Sequence, residues 1–130
     1  MQNFFGKDFV NISYDKVNHV IVLKWIISPT SDEYREALNS LVSAMEHFKT
    51  GKVIANTIYL GTIHPRDQQW SVTEWFQQAV KAGYSKLAII IPDDLFTQMS
   101  VEDTMNSADS SFLYAYFDNM ETAVEWLIKA

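Results

Sequence analysis

The run Lys86-Leu-Ala-Ile-Ile-Ile-Pro92 constrains the fold more than any other stretch of the chain. It is a continuous apolar segment, preceded by a glycine at Gly83 and closed by a proline, of the kind that a parallel sheet buries on both faces. A strand buried on both faces needs cover on both. The run therefore predicts a layered α/β domain with residues 86–92 as its central strand.

The flanking sequence supplies the other layers. Phe9 to Tyr14 alternates apolar and polar residues, and after the turn-like Asp15-Lys-Val-Asn18 a second run, His19 to Ile27, is rich in β-branched and aromatic residues. These two runs predict paired antiparallel strands. Pro29 ends the second, and Thr30-Ser-Asp-Glu33 matches a capping box, in which a hydroxyl and a carboxylate satisfy free backbone donors at a helix start. Tyr34, Leu38, Leu41, Val42, Met45 and Phe48 then draw one apolar stripe along a helix over residues 31–49, closed by Gly51. Residues 52–58 read as a strand and 59–64 as a loop. Pro65 opens a helix that runs to about Ala82, since proline lacks the amide hydrogen that would be unpaired in a first turn. Asp93 and Asp94 cap a shorter helix through about Met105, Phe112 to Phe117 reads as a last strand, and Asp118 or Asn119 caps a C-terminal helix. Its apolar stripe holds Met120, Ala123, Val124, Leu127 and Ile128, with Trp126 off it, and an outward Trp126 would suggest a homodimer. The predicted order is ββαβαβαβα: an α/β fold with a mainly parallel sheet, right-handed crossovers and an antiparallel N-terminal hairpin at one edge. Residues 1–130 read as a single domain with no repeat or linker.

Composition narrows the functional classes. Hydrophobic residues are 48% of the chain and the formal charge is −6, with 10 basic residues scattered among 16 acidic ones, which argues against a nucleic-acid partner. The longest aliphatic run, Leu87 to Ile91, is far short of the roughly 20 residues that span a bilayer, so no transmembrane segment is expected. Zero cysteines exclude a disulfide framework, a zinc-thiolate centre and a Cys nucleophile. The N-terminus shows no secretory pattern, and a cytoplasmic location is expected.

The segments "VLKWIISPTSDEYREAL", "GTIHPRDQQWSVTEWFQQAVKAGYSKLAIIIPDDLF" and "YFDNMETAVEWL" carry a resemblance that covers nearly the whole chain. The sequence resembles the uncharacterised SpoIIAA-like, or STAS-like, bacterial proteins of the Bacteroidetes type. That resemblance implies a SpoIIAA-like fold. In the anti-sigma-factor antagonists that give the fold its name, a phosphorylatable Ser or Thr follows an Asp at a helix start. The corresponding stretch here is Asn56-Thr-Ile-Tyr-Leu-Gly-Thr62, which offers Thr57 and Thr62 without the matching motif, so phosphorylation-driven partner switching is not carried over. Lipid-binding relatives of the fold point instead to a small apolar or amphipathic ligand.

In an open α/β sheet, ligands gather beyond the carboxyl ends of the parallel strands. Residues 27–31, 59–67 and 92–98 are expected to converge there, which makes Tyr59, Gly61, His64, Trp70, Asp93 and Gln98 the candidate ligand-binding residues. Tyr59 and His64 offer polar contacts, Gly61 close backbone approach, and Trp70 a stacking surface. Each also has a plain structural use. Gly61 turns the chain, Pro65 and Asp67 organise a helix start, and Asp93 with Asp94 complements a helix dipole. On a regular α-helix Trp70 and Trp75 stand about 140° apart, so one is expected in the core and the other elsewhere. His19, His47 and His64 show no metal-ligand spacing, and no nucleophile elbow or phosphate loop is present, so no catalytic residue, metal or cofactor is expected. The sequence thus points to a non-enzymatic binding or regulatory domain with a small-molecule or protein-partner surface at the strand ends. The alternative is a small lipid-type carrier, or an enzyme, using the same cleft with His64 as its polar centre.

Overall fold

The computed structural model describes residues 1–91, 94–106 and 112–129. Six strands form one sheet in chain order. β2 (Val10–Asp15) pairs antiparallel with both β1 (Gln2–Gly6) and β3 (Val20–Trp25). From β3 onward, β4 (Lys52–Asn56), β5 (Lys86–Ile90) and β6 (Leu113–Phe117) are all parallel. The α/β class and the order of the nine predicted elements hold, and β1 precedes them. Its sequence, Gln-Asn-Phe-Phe-Gly, has no period-two pattern, and its register on β2 is broken between Asn3 and Phe5. Pairing with β2 rather than any pattern of its own makes it a strand, and it takes the edge position expected for β2.

Because the strand order never reverses, right-handed crossovers carry every connecting helix to the same face of the sheet. These are α1 (Ser31–Phe48), a continuous helix over residues 65–81, and α4 (Leu95–Asn106). Tyr34, Leu38 and Leu41 of α1, Trp75 and Ala79 of the second helix and Val101 of α4 share one core with Leu23, Trp25, Val53, Ala55, Leu87 and Ile89 of the sheet. α5 (Met120–Ile128) follows the last strand and is not a crossover. It covers the other face, where Ala123 and Leu127 pack on Val20, Val22, Ile54, Ala88 and Ile90. β5 is thus buried on both faces, Leu87 and Ile89 one way and Ala88 and Ile90 the other, one strand in from the edge.

Local signals explain most element ends. Both halves of the capping box form at α1, with Glu33 N donating to Thr30 Oγ1 and Thr30 N to Glu33 Oε1. Asn119 caps α5 by accepting from Thr122 N, and Asp94 accepts from the Phe96 and Thr97 amides at the start of α4. α1 ends differently from expectation: Lys49, not Gly51, takes the left-handed conformation, at φ 56°. Gly51 serves a close approach instead. A Cβ there would lie 1.6 Å from the Gly83 carbonyl oxygen, at the point where Ser85 N and Lys86 N donate to Gly51 O. Trp126 does not point outward. Lys86 Nζ sits 4.2 Å over its ring and donates to the Trp126 and Lys129 carbonyls at the end of α5.

Candidate functional site

Two adjoining spaces lie between the parallel strands and the helices that follow them. The first is a polar depression of about 230 Å³ where the starts of α1 and of the second helix meet. Ser31 Oγ and Arg35 Nε both donate to Asp67 Oδ1, at 2.8 and 2.9 Å, and join the two helices through a carboxylate that is only 3% exposed. Ser28 Oγ donates to Leu60 O at 3.0 Å, and Ile63 N to Ser100 Oγ at 2.7 Å. Residues 27–31 and 59–67 therefore converge as the sequence suggests. Their third partner is Ser100, further along α4 than residues 92–98, and Pro92 and Asp93 lie outside the described residues. A crevice at the strand ends of an open sheet arises where the strand order reverses, and this order has no reversal to create one.

The second space is an apolar cavity of about 100 Å³ between the sheet and the helical layer, open to solvent on one side. Leu23, Val53, Ala55, Leu87 and Ile89 form its floor, and α1, the second helix and α4 form its roof. Among the described residues, its lining contains no charged side chain. Most of its polar groups are already engaged. Ser71 Oγ donates to Asp67 O and accepts from the Tyr34 hydroxyl at 2.7 Å; Thr57 Oγ1 donates to Ile90 O and Thr104 Oγ1 to Ser100 O. Burial pushes the Tyr34 phenol up to about 12, opposed by its hydrogen bond with Ser71. The half-buried Ile63, Val72, Phe76 and Met105 mark the sides on which the cavity nears solvent.

The second helix reaches this cavity through an irregularity. Between α2 (Pro65–Trp70) and α3 (Phe76–Lys81), residues Ser71–Trp75 form a π-helical turn. In such a turn each bond spans five residues, which brings residues five apart onto one side of the helix. The 140° separation of Trp70 and Trp75 is therefore not realised. Both face α1, Trp70 with its ring 6.5 Å from Tyr34 and Trp75 with Nε1 donating to Leu38 O at 2.7 Å.

The candidate residues divide as follows. His64 borders the polar depression, is exposed, and uses Nδ1 to accept from Arg66 N as a helix cap. Gly61 has φ 75°, and a side chain there would meet Ser28 Oγ at 2.5 Å, so it turns the chain and leaves room for the Ser28 bond to Leu60. Tyr59 is 61% exposed and borders neither space. Trp70 stacks under the Arg35 guanidinium at 4.9 Å, outside both linings. Gln98 is half-buried and borders neither space, and Asp93 lies outside the described residues. Thr57 is buried with its hydroxyl committed, whereas Thr62 is exposed in the depression. Among the described residues, no group of three or more His, Asp or Glu is placed to hold a metal ion. Sequence reasoning did not single out Tyr84, Trp25, Val72 or Phe112 as lining residues, because in sequence they read only as core.

Among the described residues no helix is long and apolar enough to cross a membrane. Compared with protein-family models, curated proteins and solved structures, the chain finds no match in any of the three.

Proposed function

We propose that this protein is a non-enzymatic binding domain that takes up a small, uncharged apolar or amphipathic molecule between its sheet and its helices. The observation that carries this reading is the pocket of about 100 Å³ with aliphatic and aromatic walls and, among the described residues, no charged side chain. Apolar walls accept apolar guests; an engineered cavity of about 150 Å³ binds benzene. The reading moves the ligand away from His64, which is exposed and engaged as a cap, and so gives no support to an enzyme centred there. The cytoplasmic location and the SpoIIAA-like affiliation belong to the same proposal; the affiliation is supported by the residue pattern and the order of elements.

The test is benzene uptake followed through the methyl resonances of Leu23, Val53 and Ile89. Saturable shifts at these floor residues are expected, together with a rise in melting temperature. Absence of both at the solubility limit of benzene would remove the reading.

A partner-binding surface has a separate observation in its favour. Ile26 and Ile27 after β3, Ile58 and Tyr59 after β4, and Leu95, Phe96 and Met99 on α4 are all exposed at the exits of parallel strands. Sedimentation of the purified protein across a concentration series tests self-association, and Phe96→Asp should abolish any that is seen.

A further inference from the structure

Two polar groups in the pocket lining make no hydrogen bond to another described residue, the Tyr84 hydroxyl and the Trp25 indole N–H, on residues that are 8% and 2% exposed. Every wholly enclosed side-chain nitrogen or oxygen among the described residues has a partner. These two groups therefore keep accessible surface, and both residues line the pocket.

A buried phenol or indole normally finds a partner, since leaving one unmade costs roughly 1–3 kcal/mol. Tyr84 is also fixed in place. Its backbone N donates to Ala79 O at 3.0 Å, behind Gly83 at φ 106°, and its ring packs on Trp75 and Phe112 with centroids 5.4 and 4.5 Å away. Burial raises its pKa far above the ordinary tyrosine value, with the Tyr34 hydroxyl adding to the effect, so the group stays a neutral donor and acceptor. Trp25 is the more restricted of the two. Its ring face is covered by Tyr34 at 5.6 Å and 7°, and its N–H can only donate.

The walls limit what can be accepted. A volume of about 100 Å³ matches one small ring and is too small to enclose a whole lipid acyl chain. Six aromatic side chains, Trp25, Tyr34, Trp75, Phe76, Tyr84 and Phe112, border the space and favour edge-to-face contact with an aromatic guest. No charged side chain is among the described lining residues, so none of them compensates the burial of a carboxylate or an ammonium.

We infer that the cavity is a site for one neutral monocyclic aromatic molecule bearing a hydrogen-bonding substituent of the phenol type, and that the Tyr84 hydroxyl holds that substituent. This rests on the binding reading above and specifies its ligand. The apolar walls supply affinity for the ring. Tyr84 supplies the choice between a substituted ring and a bare one.

The experiment compares phenol, benzene and benzoate by titration calorimetry at neutral pH on the full chain and on Tyr84→Phe and Trp25→Phe. One net hydrogen bond of about 1–1.5 kcal/mol corresponds to roughly a five- to tenfold preference. Phenol is expected to bind the unmodified protein tighter than benzene by that factor, and benzoate at least tenfold more weakly than phenol. In Tyr84→Phe the phenol-to-benzene ratio should fall to about one, and in Trp25→Phe it should persist. Benzene uptake without phenol preference, equal binding of benzoate, or a preference lost only in Trp25→Phe overturns the inference while leaving the binding reading in place. No uptake of either ring overturns both. Should Tyr84→Phe fail to fold, the three-ligand comparison on the unmodified protein still decides the ligand class.

Discussion

Replacing Ala55 by leucine puts an isobutyl group where a methyl now faces the cavity from β4. A wholly enclosed void of about 100 Å³, at roughly 24 cal/mol per Å³, would cost the fold about 2 kcal/mol, and a space open on one side costs less. Filling part of it recovers part of that cost, and each newly buried methylene adds about 0.8 kcal/mol before lost side-chain entropy is subtracted. The expected net effect of Ala55→Leu is a stabilisation of about 1 kcal/mol. A packed core responds with the opposite sign, because inserted methylenes force neighbours off their rotamers at a cost of roughly 1–3 kcal/mol. Sign therefore decides the matter more safely than size. Urea unfolding should show a higher midpoint at unchanged slope, with a melting temperature raised by roughly 3–5 °C for each kcal/mol at this chain length. The same variant should lose benzene uptake. A lower midpoint, or benzene binding that survives the substitution, would refute the claim that this space is vacant and receives the ligand.

Three further outcomes follow from the same geometry. Asp67→Ala removes the carboxylate that joins Ser31 and Arg35; Arg35 is partly exposed and can return to water, so a loss of about 2 kcal/mol in chemical denaturation is expected, with a coupling of about 1 kcal/mol in a cycle with Arg35→Gln. Gly51→Ala should cost more than Gly61→Ala, because the first drives a Cβ into the Gly83 backbone and the second meets a serine side chain that can rotate; melting temperatures give the ranking, with about 1–2 kcal/mol expected at Gly61 for its positive φ. Tyr34 is pushed up to about 12 by burial, so its contribution to stability is complete below the ordinary tyrosine pKa of about 10 and is lost as pH rises through about 12. Tyr84 is shifted in the same direction. Tyrosinate absorbance during alkaline titration should therefore show both residues ionising only with unfolding, and early ionisation of either would contradict the burial.

Much of the architecture was legible because it is written in local signals. The apolar run at 86–90, the capping box at Thr30 and the alternation in β2 each carry their own physical instruction. β1 was not legible, since Gln2–Gly6 becomes a strand only by tertiary pairing. The polar depression was readable in outline, because helix starts and turn residues cluster wherever parallel strands exit. The cavity was not. A void is a shortfall of volume among residues that all look like core, and no single side chain announces it. The π turn was equally hidden, since Ser71–Trp75 is helical by any pattern. What selects the extra residue is the fit of two tryptophans to one face of α1, a match decided between helices.

The uninterrupted strand order carries a consequence for biosynthesis. Each strand emerging from the ribosome pairs with the one made just before it, so the sheet can be assembled in the sequence of its translation, without waiting for a distant segment to arrive. The exception is α5, which is made after β6. Until it docks, Val22, Ile54, Ala88 and Ile90 form a greasy plane on a sheet whose strands are already paired, and that interval is when a holdase chaperone would find the most to grip.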